Sequence, residues 1–300
     1  MAKTRNILKH VRAVGNIRTV TKAMQTVASA RFKQAHDRIS SFGPYSAHVT
    51  AIIGDVVARS SRRRLDHPLL RPAPKLHRDI LLVITSNRGL CGSYNQGVLH
   101  LATERLVQLR EGGYEIELHV VGARGARYLR FRGVEPDEVH EEFGDVPTYQ
   151  QVAELADTMM QRFLGGRIGG LEAAYTQFVS SGRQRPAVAQ ILPVADLPGP
   201  EEPGEADEAF GPVPMPYDFL PSAQALMKRL LPMTVRLKLY QCFLEAGAAE
   251  QFLRRVAMQA ATDNADDMIR ELRLHLNRTR QMQITTELSE IMGGRAGLEE

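Results

Sequence analysis

Cysteine is nearly absent: Cys91 and Cys242 are too few for a disulfide framework or a cysteine-built zinc site. Tryptophan is missing, and aromatic residues make up only 6% of the 300. The longest apolar run is Ile80 to Ile84, far short of the roughly 20 residues a membrane-spanning helix needs. Acid is almost missing from one end. Residues 1–38 hold nine Lys/Arg against the single acid Asp37. A second basic stretch, residues 59–78, holds seven cations against Asp66. The first 78 residues therefore carry +13 and the remainder −9, an asymmetry concealed by a net charge of +4. With 43% hydrophobic and 24% charged residues the chain can build a core, and wholesale disorder is excluded.

The terminal segments are poor in proline and rich in helical spacing. From Lys3 to about Arg59 the one proline is Pro44, after Gly43, where a break or kink is expected. Apolar residues at Leu8, Val11, Val14, Ile17, Val20, Met24 and Val27 keep to one helical face. The stripe is narrow, closer to a coiled-coil seam than to a globular core face. Fifty helical residues would extend about 75 Å. From about Ser222 to Met292 the pattern returns, interrupted only by Pro232, through Val235, Leu239, Phe243, Ala246, Leu253, Val256, Ala260, Met268, Leu272, Leu276, Ile284, Leu288 and Ile291. Gly293-Gly294 reads as its stop.

The middle is different. Asp79–Thr85 reads as a buried strand, Asn95–Arg110 as a helix, Glu115–Val121 as a strand, and Arg124–Phe131 and Gln150–Leu164 as helices. Tyr175–Ser180 and Val188–Leu192 read as further strands. Alternating strands and helices predict an α/β domain with a mainly parallel sheet. Residues 193–216 hold seven prolines and no Lys or Arg, a solvated acidic loop. The expected fold class is α/β: a long antiparallel coiled coil of N- and C-terminal helices with an inserted Rossmann-like α/β domain. The expected boundaries are 1–60 with 218–300 for the coiled coil, 76–193 for the α/β domain and 194–217 for the acidic loop.

The basic helix admits four readings: a solvated face, a nucleic-acid contact, a mitochondrial presequence, or a shaft against acidic protein partners. Residues 1–31 contain no aromatic on which bases could stack, which weighs against nucleic acid. The loop Ser86-Asn-Arg-Gly-Leu-Cys-Gly-Ser-Tyr-Asn95 joins a strand to a helix, where a helix N-terminus attracts anions. It lacks both the Gly-x-Gly-x-x-Gly spacing and a Gly-Lys-Ser/Thr ending, so a plain turn is the better reading than a phosphate cradle. The nine histidines are scattered without a His-Glu-x-x-His motif, and no nucleophile elbow occurs. No catalytic residue, metal site or cofactor is expected.

Four stretches carry a more specific resemblance: Ile17-Arg-Thr-Val-Thr-Lys-Ala-Met24, Arg88-Gly-Leu-Cys-Gly92, Met258-Gln-Ala-Ala-Thr-Asp-Asn-Ala265, and Asn277-Arg-Thr-Arg-Gln281 with Ile284-Thr-Thr-Glu-Leu-Ser-Glu-Ile291. In this order and layout the chain resembles the gamma subunits of F-type rotary ATP synthases over essentially its full length. The resemblance implies a central stalk that couples ion flow through the membrane ring to ATP synthesis in the beta subunits, with no catalytic site of its own. It implies as partners the alpha and beta subunits of the hexameric ring, the epsilon subunit and the c-subunit ring, and no nucleic acid. Membrane association would run through the c ring, peripherally, on the cytoplasmic face of a bacterial inner membrane. Members of the family begin almost at this helix, which favours mature protein over a presequence. Carried over by position, the coupling residues are Lys22, Met24, Arg254, Gln281, Thr285 and Glu287, and the family loop is Gly89, Leu90, Cys91 and Gly92. Asn87 stands where the family usually has Asp, Ser93-Tyr94 replaces a smaller pair, and Thr26 replaces a common Met.

Overall fold

The structure, a computed structural model, describes residues 2–59, 67–70, 77–194 and 223–296. The cluster Arg62-Arg63-Arg64 and nearly all of the acidic proline-rich stretch lie outside the described residues. The elements run α1 (Ala2–Arg59), a 3-10 turn (Pro68–Leu70), β1 (Arg78–Ile84), α2 (Tyr94–Glu111), β2 (Glu115–Val121), α3 (Ala123–Phe131), β3 (Glu138–His140), α4 (Tyr149–Leu164), β4 (Gly170–Ser180), β5 (Arg183–Leu192) and α5 (Ala223–Ala296). The chain forms two compact units, one of Met1–Ala30 with Arg254–Glu300, the other Arg31–Leu253.

The unit Arg31–Leu253 holds a five-stranded sheet in the order β3-β2-β1-β4-β5, parallel except for the β4–β5 hairpin. The mainly parallel sheet expected from the alternating pattern is therefore present. The central strand β1 is buried on both faces, as its continuous apolar run requires. The pleat sends Ile80, Leu82 and Ile84 into one cluster with α4 residues such as Met159 and α5 residues such as Phe243. Leu81 and Val83 point the other way, into a cluster with Val98 and Leu106 of α2 and Leu129 of α3. Helix α4 starts at a reciprocal cap: the Gln151 N–H donates to Thr148 Oγ1, and the Thr148 N–H donates to Gln151 Oε1. Pro186 sits in β5, an edge strand, where a missing N–H costs no ladder bond on the open side.

Helix α5 is wholly enclosed over residues 242–252 of this unit. Gly247 lies there because a Cβ at its position would fall 2.8 Å from the Asp145 carbonyl oxygen. Phe32, Phe178 and Phe252 form a ring cluster, with the Phe32 centroid 5.6 Å from Phe178 and 5.5 Å from Phe252. Arg31 is ion-paired to Asp145.

In the other unit, α1 and α5 pair antiparallel. The α5 partner number falls as the α1 number rises: Thr4 meets Gln283, Arg18 meets Asp266, Thr21 meets Thr262 and Gln25 meets Gln259. The inward positions of α1 in this unit alternate by three and four residues: Thr4, Ile7, Val11, Val14, Arg18, Thr21, Gln25 and Ala28. All of these except Arg18 are buried or half-buried, a regular coiled-coil seam. On α5 the matching positions in this unit are Met258, Thr262, Ala265, Ile269, Leu272, Leu276, Thr279 and Gln283.

Two readings need correction. The apolar stripe of α1 follows the seam only at Val11 and Val14. Ile17, Val20 and Val27 are 52–57% exposed, because the seam turns to small and polar residues there and leaves the apolar ones outside. On α5, Val256, Met268, Ile284, Leu288 and Ile291 are likewise exposed. Secondly, α1 runs through Pro44 without a break, and α5 continues past Gly293-Gly294 to Ala296; Pro232 lies inside α5, within the helical segment expected there.

Candidate coupling surface

The seam of the helix pair is held by hydrogen bonds as much as by apolar contact. The Thr262 hydroxyl donates to Thr21 Oγ1 at 2.8 Å, and the Thr21 hydroxyl donates to the Arg18 carbonyl at 3.0 Å. The Gln25 amide donates to Gln259 Oε1, whose own amide donates to Asp263 at 2.8 Å. Arg18 Nε donates to Asp266 Oδ1 at 2.5 Å. Small and polar residues such as Thr21, Ala28, Thr262 and Ala265 let the two backbones approach closely while their polar groups stay satisfied.

Outside the seam the surface is basic, apolar and short of free hydroxyl donors. Arg5, Lys9, Arg12 and Lys22 are all exposed. The hydroxyls of Thr19, Thr26, Thr285, Thr286 and Ser289 each donate to the carbonyl four residues earlier, at 2.9–3.1 Å. Donors used up within their own helix do not demand a partner at any one angle. Beyond Gln283, the last α5 residue bonded to α1, every described side chain is exposed, including Ile284, Leu288, Ile291 and Met292.

The residues singled out by sequence fall into three settings. Lys22, Gln281, Thr285 and Glu287 are exposed on the helix pair, and Met24 is half-buried on its flank. Arg254 is only 7% exposed, so most of its surface is already enclosed by this chain. Gly89, Leu90, Cys91 and Gly92 lie in the other unit, and the structure groups them with one another, not with the helix-pair residues. Ile17, Val20 and Val27, expected on the seam, are instead outward apolar surface of the helix pair. A strict three-four count from Val11 and Val14 would have shown Ile17 one position early.

The Gly89–Gly92 loop is a built structure. Ser86 Oγ donates to the Arg88 carbonyl at 2.7 Å, and the Asn95 amide reaches back to Ser86 Oγ at 2.7 Å and to Cys91 Sγ at 3.3 Å. Cys91 and Tyr94 pack with Ala249 of α5. Gly89 lies against the Arg124 guanidinium. Gly92 has φ +59°, which suits glycine. Leu90 has φ +64°, a left-handed backbone rare for leucine, and its side chain is 62% exposed. The loop thus holds out a large apolar side chain at a conformational cost. Asn87 is used in both directions: its Oδ1 accepts from the Ala123 N–H at 3.0 Å while its Nδ2 donates to the Phe143 carbonyl at 2.8 Å. A carboxylate could accept the first bond but not donate the second.

On the buried stretch of α5, burial pushes the Cys242 thiol up to about 12, with nearby Glu245 adding to the effect. Burial likewise raises the Glu245 carboxyl, although Gln241 Nε2 donates to its Oε1 at 2.8 Å. Both side chains are buried, at 2% and 6% exposure. Among the described residues, no helix is long and apolar enough to cross a membrane.

A family model described as ATP synthase matches residues 3–298. The chain is 37% identical over 301 residues to the ATP synthase gamma chain of Rhodopirellula baltica, with all of both chains covered. It is 38% identical over 308 residues to that of Mycolicibacterium vanbaalenii, covering 98% of this chain and 97% of that one. In fold it is similar to a chain of the Euglena gracilis mitochondrial ATP synthase, in an assembly of OSCP, F1 and c-ring, with a TM-score of 0.67 at 16% identity over 99% of this chain and 95% of that one. It is also similar to a chain of the Tetrahymena thermophila mitochondrial ATP synthase central stalk and c-ring, with a TM-score of 0.54 at 19% identity over 81% and 99%. Matched along nearly its whole length, and by relatives well above 30% identity, this chain belongs to the ATP synthase gamma chain family.

Proposed function

We propose that this chain is the rotating central stalk of a membrane-associated ATP synthase. It transmits the turning of a c-subunit ring to a ring of alpha and beta subunits, where the ATP chemistry takes place. The observation that carries the reading is the helix pair. It is held together by an internal polar seam, and its outside is basic and apolar with its hydroxyl donors turned inward. Such a shaft is stiff, binds by contact area and screened charge, and is not locked to one angle by directed hydrogen bonds. One asymmetric shaft facing three equivalent sites contacts each differently, and differential contact is what shifts a conformational equilibrium.

In this reading Lys22, Met24, Gln281, Thr285 and Glu287 face the alpha and beta ring. Arg254 acts mainly through the packing that encloses it. The +8 charge of residues 1–38 meets acidic ring surfaces. Leu90, held out by the Gly89–Gly92 loop, is a contact for a neighbouring subunit. The α/β domain, residues 76–193, lies toward the epsilon subunit and the c ring, and residues 1–60 and 218–300 form the shaft. The complex sits peripherally on the cytoplasmic face of a bacterial plasma membrane, and the gamma chain reaches the membrane through the c ring. Co-expression with the alpha and beta subunits of the same organism tests the assignment. A stoichiometric complex whose ATPase activity depends on this chain is expected, and failure of the three to co-purify contradicts it.

A further inference from the structure

Among the described residues, one cluster of ligand-type side chains stands outside everything the rotor uses. It sits at the β3 edge of the sheet. Glu117, His119 and Val121 of β2 share one face of the pleat, and the parallel register sets His119 opposite Glu138 and Val121 opposite His140. Strand pairing thereby joins residues 19 and 21 positions apart, which no local motif would reveal. His119 Nδ1 lies 3.4 Å from His140 Nε2 and 3.3 Å from Glu138 Oε2. One ligand atom from each of the three residues falls within 4.8 Å of the others.

Those separations have a specific meaning. In a tetrahedral zinc site with bonds of about 2.0–2.1 Å, neighbouring ligand atoms stand about 3.3–3.4 Å apart. The 3.4 and 3.3 Å spacings match that edge, and the third, His140 Nε2 to Glu138 Oε1 at 3.9 Å, needs the exposed carboxylate to move in by about half an ångström; a direct imidazole hydrogen bond at 3.4 Å is loose. Both rings are also oriented from behind. His119 Nε2 faces Glu117 Oε2 at 3.6 Å, and His140 Nδ1 faces Glu142 Oε1 at 3.3 Å. Glu117 is itself fixed by Arg162 Nη2, 2.7 and 2.5 Å from its two oxygens. A carboxylate behind each ligating histidine is the usual outer support of a zinc site, fixing the tautomer and raising ligand basicity. The side chain of His119 is 1% exposed and that of Glu138 53%, so the cluster opens to solvent on the carboxylate side.

We propose that His119 Nδ1, His140 Nε2 and the Glu138 carboxylate bind one Zn²⁺ ion, with water in the fourth position. Both facing nitrogens must offer lone pairs to the ion, so a ring that holds its proton between them shifts it, through solvent, to its own rear nitrogen facing Glu117 or Glu142, with no net proton released. The ion would add a tie between the three-residue edge strand β3 and β2, beside their short ladder and the packing of Val139.

Calorimetric titration of the chelator-treated full chain with ZnCl₂ alone tests this, with Co²⁺ as a spectroscopic stand-in. One saturable site per chain is expected, and Co²⁺ should give the intense visible absorption of tetrahedral coordination. Glu138→Gln, a change at an exposed side chain, should keep the fold and weaken Zn²⁺ binding at least about tenfold. His140→Gln should weaken it at least as much. If His140→Gln does not fold, Glu138→Gln decides alone. Absence of a saturable site, or a site whose affinity Glu138→Gln leaves unchanged, overturns the proposal.

Discussion

Thr262 Oγ1 lies 2.8 Å from Thr21 Oγ1, and both side chains are buried between α1 and α5. The two hydroxyls tie the helices at a point where an ordinary coiled coil would place leucine or isoleucine. Each also has a carbonyl on its own helix, Arg18 O at 3.0 Å and Met258 O at 2.8 Å. Thr21→Val or Thr262→Val alone should therefore cost about 1 kcal/mol, the net value of one hydrogen bond. The double variant should cost less than the sum, since an apolar pair leaves no orphaned partner. Urea denaturation across the double-mutant cycle measures this, and strictly additive losses would show that the two hydroxyls do not act as a pair.

Asn87 makes a second, independent prediction. Asn87→Asp keeps the acceptor for the Ala123 N–H but removes the donor to the Phe143 carbonyl. The variant should lose about 1–3 kcal/mol at neutral pH, because a carboxylate then faces a carbonyl oxygen. Thermal unfolding measures it. Equal stability at pH 7 would mean that the Asn87 amide is not used in both directions.

Glu245 predicts a pH dependence. Burial raises its carboxyl above the ordinary value, so the folded chain holds this proton more tightly than the unfolded one. The group costs nothing below about pH 4, where both states are protonated, and destabilises the fold increasingly as pH rises through its folded value. Glu245→Gln should therefore be more stable than the parent at pH 8, with the advantage shrinking toward pH 4. An advantage independent of pH would contradict the assignment.

The distal part of α5 predicts a separation of function from folding. Gln281 and Thr285 are exposed, and the Thr285 hydroxyl is engaged with the Gln281 carbonyl at 3.0 Å. Gln281→Val with Thr285→Val should leave the melting of the α/β domain unchanged. Coupled ATP synthesis in reconstituted vesicles should fall on the order of fivefold, the loss of a modest coupling energy. Unchanged synthesis would remove these two residues from the coupling surface without touching the family assignment.

Much of this fold was legible where local chemistry decides the outcome. Glu115–Val121 appears as β2 with the expected bounds, and α2, α3 and α4 begin one residue before the expected starts. β3 was missed because Glu138-Val-His140 is too short to show any period. The first half of β4, Gly170 to Ala174, has little β-branched character and becomes a strand only through its pairing with β1. The α1 stripe leaves the seam at Leu8 and again from Ile17 onward, because hydrophobic spacing presumes an apolar interface. Here the interface uses Thr21, Gln25 and Ala28, and the valines and isoleucine face outward. The loop motif was visible as residue types, but the left-handed Leu90 and the two-way role of Asn87 depend on neighbours distant in sequence. The same holds for the His119–His140 pair, which exists only once β2 and β3 are in register.

The central claim is that this chain turns. Cys91 and Cys242 are both buried, so a single exposed cysteine introduced by Ser181→Cys at the tip of the β4–β5 hairpin can carry a probe selectively. The labelled chain is assembled with alpha and beta subunits fixed to a surface, and the probe is followed in a microscope during ATP hydrolysis. Stepwise rotation in one direction, in three equal intervals per turn, is the predicted result. A probe that stays at one angle while the assembly hydrolyses ATP would contradict the rotor account.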